Sequence, residues 1–193
     1  AHSNSVLGLV EPLVGLIPAG GGCKEMLRRW SNDPKSKEDP NYASMQVFNI
    51  LGYALTMDSP DKAKEYKFLE KDDFMVMSRD RLIAEADKKI ALVKESYTAP
   101  KKTIFKLPGP SVMPAMIEIL ETLFNSNKIK DHGLTVGKKL GFMLSGGNTD
   151  ISQPLSEQQL LDLERVVFLE LIKMPQTQER IKFTLDTGKP LFN

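Results

Sequence analysis

The chain reads as mostly α-helical, and its patterning and punctuation say so. Apolar residues recur at three- and four-residue spacing, as in Met113, Met116, Ile117, Leu120, Leu123 and Phe124. Helix-start chemistry stands at Ser59-Pro60 and at Ser156 with Gln159; a stop signal stands at Gly188-Lys189-Pro190. Against these, only DFMVM (73–77) has the look of a strand.

In chain order, residues 6–17 form an apolar run that reads as buried and partly extended. Gly20, Gly21 and Gly22 then permit a tight turn and close backbone approach. A short helix is predicted over about 23–30, followed by the polar, proline-punctuated loop SNDPKSKEDPN (31–41). The next helix covers about 42–55, with Met45, Phe48, Ile50 and Leu51 available for burial, and Ser59-Pro60 opens a short one through Tyr66. Ser78 is expected to cap a helix whose Leu82, Ala86, Ile90 and Val93 make one apolar stripe, leaving Arg79, Glu85, Lys88 and Lys89 to water. Residues 96–110 carry Pro100, Pro108 and Pro110 and no period, so they read as a linker or a surface-wrapping strap. Beyond them come the Met113–Phe124 stripe, a weaker helix over about 133–144, the loop LSGGNTDISQP, the Ser156-capped helix and a last helix over about 176–186.

A chain of 193 residues is long enough for a real core in one or two modest domains. Hydrophobic content of 41% and charged content of 26% are ordinary globular values, so disorder is not expected. The 26 basic and 25 acidic residues nearly cancel, which gives no global attraction to nucleic acid. KKTIFK (101–106) is a local basic cluster that reads as a solvated connector. No apolar run reaches the ~18 residues of a membrane span, and the apolar stretch 6–19 lacks the basic flank of a signal peptide. Cys23 is the only cysteine, so no intrachain disulfide forms; this fits a reducing compartment, and a cytoplasmic location is expected. One cysteine and two histidines make no metal-ligand cluster. The first residue is alanine, so the chain is expected to be processed or to be a piece of a longer one.

The chemistry concentrates in GLVEPLVGLIPAGGGCKEMLRRW (8–30). Glu11 is the only carboxylate among residues 1–22. A carboxyl in apolar surroundings holds its proton more tightly than in water, which suits a general acid. The alternative is that Glu11 faces solvent or pairs with Lys24, Arg28 or Arg29. A glycine turn feeding a helix aims backbone N–H groups at an anion or a developing oxyanion, or it is simply a turn. Neither the dinucleotide spacing G-x-G-x-x-G nor the P-loop pattern occurs. Cys23 near a helix start is a conceivable nucleophile but has no histidine near it in sequence.

Glu11, Gly15, Leu16, Ile17, Pro18, Gly20, Gly21 and Gly22 together resemble the crotonase (enoyl-CoA hydratase) superfamily in order and spacing. FNILGYALTMDSPDKAKEYKFL resembles that family's next section. Cys23-Lys24 after the glycines, KLPGPS (106–111), LSGGNTDI (144–151), LLDLERVVFLELI and TGKPLFN are most similar to the hydratase part and tail of long fusions that also carry 3-hydroxyacyl-CoA dehydrogenase. The resemblance implies the C-terminal helical part of a crotonase-like α/β fold (1–95), a linker (96–110) and a helical extension (111–193).

It further implies that Glu11 is one of two glutamates that add water to a trans-2-enoyl-CoA, and that Pro18, Ala19, Gly20, Gly21 and Gly22 contact the acyl-CoA substrate. The second glutamate, the oxyanion-hole segments and the NAD-binding dehydrogenase portion have no counterpart in these residues. On this resemblance the chain is expected to be a C-terminal fragment, inactive alone, partnered by the upstream part of the same multienzyme or by a second copy. A helical binding or assembly module and an enoyl-CoA isomerase part are the alternatives. Residues 6–14 are expected to be covered by the tail helices or by a second copy.

Overall fold

The structure is a computed structural model that describes residues 1–150 and 152–193; Ile151, at the end of the LSGGNTDI segment, lies outside the described residues. It is mostly helical, as its sequence predicts. Contacts divide it into two units that are discontinuous in sequence: residues 1–8 with 56–102, and residues 9–55 with 103–193. These units follow packing in space, whereas the division 1–95, 96–110 and 111–193 follows likeness to a longer protein.

In the first unit, β1 (Leu7–Gly8) pairs antiparallel with β2 (Thr56–Met57), Leu7 opposite Met57. The helix α3 (Pro60–Glu65) starts as expected, with the Ser59 hydroxyl accepting from the Lys62 N–H and proline in the first turn. DFMVM is not a strand: only Val76 joins a ladder, in an isolated parallel bridge to His2. The helix α4 (Leu82–Val93) forms, but it follows a 3-10 turn over Arg79–Arg81 and the Ser78 side chain does not cap it. Its apolar stripe is not buried: Leu82, Ala86, Ile90 and Val93 are all exposed, and Glu85 is the one half-buried residue of the helix. Periodicity marks an amphipathic helix but cannot supply the surface that covers it.

The second unit holds the core. The helix α1 (Gly22–Ser31) buries Cys23, Met26, Leu27 and Trp30 at helical spacing, and α2 (Tyr42–Gly52) buries Val47, Phe48, Ile50 and Leu51 against it. Met45, expected in this core, is half-exposed. Residues 103–110 are more than a linker. Phe105 is buried, and β3 (Ile104–Phe105) pairs antiparallel with β4 (Leu155–Ser156). The helix α5 (Met113–Asn125) packs on α6 (Asp131–Ser145), where Gly137 lets Leu120 approach so closely that a Cβ there would lie 2.4 Å from it. Ser44 in α2 donates to the Leu144 carbonyl of α6 at 2.9 Å, both buried. The helix α7 (Glu157–Ile172) opens with the expected Ser156/Gln159 capping box, and α8 (Pro175–Thr187) closes at Gly188 in the left-handed region.

Two polar tethers fix the 9–24 stretch within this unit. The first is Glu164, on the buried α7 face Leu160–Glu164–Val167–Leu171 and 0% exposed. Its carboxylate accepts from the N–H of Gly21 at 2.7 Å and of Lys24 at 2.5 Å, so the N-terminus of α1 is capped by another helix. Burial pushes the Glu164 carboxyl up, and the Lys24 and Gly21 N–H groups and the Lys24 charge pull it back.

The second tether holds Gly15. Thr177 donates its hydroxyl proton to the Gly15 carbonyl at 2.9 Å, and His132 Nε2 lies 2.8 Å from the same hydroxyl oxygen. A hydroxyl has one proton to give, so His132 must be the donor through Nε2–H. Gly15 has φ +81°, and a Cβ there would meet His132 Nε2 and Thr177 Oγ1 at 2.9 Å each. Arg180 adds Nη1 to the Pro12 carbonyl at 3.4 Å.

Glu164→Ala leaves both amides orphaned under α7 and is expected to cost about 3 kcal/mol of unfolding free energy, with Glu164→Gln intermediate; urea midpoints at constant m-value measure both. Burial first, and then the Arg180 charge, hold the His132 imidazole below its ordinary value of 6.5. A depressed folded-state pKa gives stability that is complete above the unfolded value and lost as pH falls through the folded one. Wild-type unfolding free energy should therefore drop on acidification below pH 6.5 relative to His132→Gln, and parallel pH profiles of the two proteins would refute it.

Candidate functional site

The apolar run that carries Glu11 is only partly buried. Leu16 and Ile17 are buried, but Val6 is 66% exposed and Val10 also faces solvent; within the second unit α8 and α6 pack on the residues from Glu11 to Val14 and leave them half-buried. Pro12, rigid at φ, sits in a single 3-10 turn over Glu11–Val14 that closes at Gly15, whose N–H donates to the Pro12 carbonyl. This turn, not an extended strand, presents Glu11.

Glu11 is half-buried. Its Oε2 is buried and has no hydrogen-bond partner among the described residues. The neighbouring cations are committed elsewhere. Arg28 and Arg29 hold Glu25, whose carboxyl the hydrogen bonds from Arg28 and then Arg29 bring down to about 2, and Lys24 bonds Glu157 at 2.8 Å. Glu11 lines a cavity of about 380 Å³ with Val10, Leu13, Val14, Thr184, Gly188 and Pro190. Thr184 Oγ1 is also buried without a partner among the described residues. An acid and a hydroxyl with unused hydrogen-bonding capacity thus line one largely apolar cavity. Buried polar atoms are nearly always paired, so two unpaired ones in residues around one cavity set this region apart from the rest of the core.

The other expected contact residues lie on the following turn. Pro18 is buried and its carbonyl accepts from the Cys23 thiol at 3.1 Å; Ala19 is half-buried and Gly20 is exposed. Gly21 and Gly22 are half-buried, and the Gly21 amide is engaged by Glu164. The anion that this helix start addresses is therefore an internal carboxylate, and any external one competes with it. Cys23 is fully buried; burial, then the charges of Glu164 and Glu11, push its thiol well up, which keeps it protonated and poorly nucleophilic. No cluster of potential metal ligands occurs among the described residues. No helix among them is long and apolar enough to cross a membrane.

Sequence reasoning missed Glu164 and Thr184. For Glu164 a signal existed: it interrupts the apolar series Leu160, Val167, Leu171, and a carboxylate inside a core stripe must find donors. Thr184 gave none, since a threonine near a helix end is unremarkable in sequence.

Comparison with known proteins finds relatives much longer than the chain. It is 33% identical, over 194 residues and its whole length, to a Bacillus subtilis (strain 168) protein named "Probable 3-hydroxyacyl-CoA dehydrogenase", of which it covers 24%. It is 30% identical over 175 residues, 91% of its length, to a Rickettsia felis protein named "Putative fatty acid oxidation complex trifunctional enzyme", of which the match covers 21%. No protein-family model matches, and no solved structure does. The chain thus spans a quarter or less of the curated relatives it is similar to.

Proposed function

We propose that the chain is part of a fatty-acid β-oxidation enzyme of the 3-hydroxyacyl-CoA dehydrogenase/enoyl-CoA hydratase kind, and that it supplies one wall of the site that adds water to a trans-2-enoyl-CoA. The observation that carries this reading is the Glu11 carboxyl, held on a short pinned turn with one oxygen buried and unpartnered beside a cavity. The names of the two relatives support the pathway. The motif likeness of residues 8–27 to crotonases supports the reaction.

In that reaction the hydroxyl of water bonds to Cβ and a proton to Cα. Glu11 is the group that protonates Cα, and a second glutamate outside these residues takes the proton from water. Pro18, Ala19, Gly20, Gly21 and Gly22 border the acyl-CoA. They do so as a wall of fixed shape, because Glu164 already holds the Gly21 amide. That engagement also argues against a nucleotide pyrophosphate at this helix start, so NAD falls to the dehydrogenase portion of the longer enzyme.

A second reading, assembly, is favoured by the first unit. Met77 is 76%, Ile83 77% and Leu92 78% exposed there, and covering such apolar side chains is favourable. The remainder of the multienzyme or a second copy would cover it. The two readings are compatible.

Purified chain mixed with a trans-2-enoyl-CoA should leave the absorbance of the conjugated thioester unchanged. The complete enzyme should bleach it, and Glu11→Gln in that enzyme should lower kcat by about 10²- to 10⁴-fold. Turnover by the chain alone overturns the half-site, and an unimpaired Glu11→Gln enzyme overturns the role of Glu11. Light scattering with and without the upstream polypeptide tests assembly; a monomer indifferent to that polypeptide counts against it.

A further inference from the structure

The second unit contains another cleft that the Glu11 chemistry does not use. It measures about 270 Å³ and lies between α2, α5 and α6, with Phe48, Tyr53, Ile119, Leu123 and Val136 among its walls. Of the cavities described, it shares only Leu13 with the one beside Glu11. Its charged lining residues are Lys128, Lys130 and Arg180, with no Asp or Glu among them.

The lysines stand on the turn between α5 and α6. Asn127 there has φ +57°, and the Lys128 N–H donates to the Leu123 carbonyl, so the turn is closed by its own backbone. Ile129 is half-buried in the cleft wall, and Gly133 leaves it room, since a Cβ at 133 would lie 3.1 Å from the Ile129 Cβ. With Ile129 seated, its neighbours Lys128 and Lys130 are both exposed at the rim. Lys130 Nζ donates to Asn127 Oδ1 at 3.3 Å, while the Lys128 ammonium has no hydrogen bond or ion pair among the described residues. Arg180 is buried and already bonded to Asn193 and Pro12.

An apolar hollow whose charged lining residues are all cations selects by complementarity. We propose that this cleft is a second ligand site, which takes an anionic amphiphile with its hydrocarbon chain between α2, α5 and α6 and its negative head on Lys128 and Lys130. A free fatty-acid carboxylate and an alkyl phosphate monoester share that chemistry, since both carry the charge directly on the end of the chain.

Calorimetric titration of the full chain below micellar concentrations tests it with decanoate, decyl phosphate and decyltrimethylammonium. One site per chain for decanoate assigns the carboxylate as the head; binding of decyl phosphate alone assigns the phosphate. The cationic amphiphile should not bind. Lys128→Glu with Lys130→Glu should weaken the anion by about tenfold or more, and Ile119→Trp, which fills the cleft, should abolish it, each with an unchanged circular-dichroism spectrum. Glu11→Gln should bind as wild type does, so failure of the hydratase reading and failure of this one are told apart. Equal affinity for the cationic amphiphile, no binding of either anion, self-association of the chain through this face in place of ligand binding, or undiminished binding by the Ile119→Trp protein overturns the proposal.

Discussion

A carboxylate buried beneath a glycine turn organises the second unit. Removing Glu164 from water is costly, and the cost is offset because the first amides of α1 converge on its oxygens at 2.7 and 2.5 Å. The same bonds satisfy donors that every helix start leaves unpaired. The contact therefore works in both directions: α1 makes a buried acid tolerable, and the acid fixes where α1 begins relative to α7. Once α1 is placed, its Met26, Leu27 and Trp30 face fixes α2, and Ser44 ties α2 to α6.

The stretch before the glycines is held by a different device. Gly15 is pressed against Thr177 and His132 with no space for a side chain, and its left-handed φ turns the chain at that point. The 3-10 turn of Glu11 is thus pinned at its C-terminal end and by Arg180 at Pro12. What remains free is the carboxyl itself. Pro12 and Leu13 of this turn wall the apolar cleft, while Glu11 and Leu13 wall the second cavity. One short turn separates a hollow bordered by an acid from a hollow bordered by cations: the acid stands on the turn itself, and the cations come from the turn between α5 and α6 and from α8.

The first unit obeys a different balance. Its strands are two residues long and its longest helix leaves its apolar stripe to water. Little apolar burial means little to offset the entropy of ordering the chain, so this unit is the part whose stability depends most on what covers it.

The amino-acid order alone made the helical class legible, together with most helix starts and stops, because caps, proline positions and apolar periods act within a few residues. Ser59, the Ser156/Gln159 box and Gly188 all stand where local chemistry puts them. It also singled out Glu11 as an isolated acid. Three-dimensional packing decided the rest: that Glu164, 143 residues away, occupies the glycine turn; that α4 keeps its stripe exposed; that DFMVM pairs only at Val76; and that Thr184 shares a cavity with Glu11. Those outcomes depend on which distant surface arrives opposite a residue, and periods and caps, being local, carry no record of that surface.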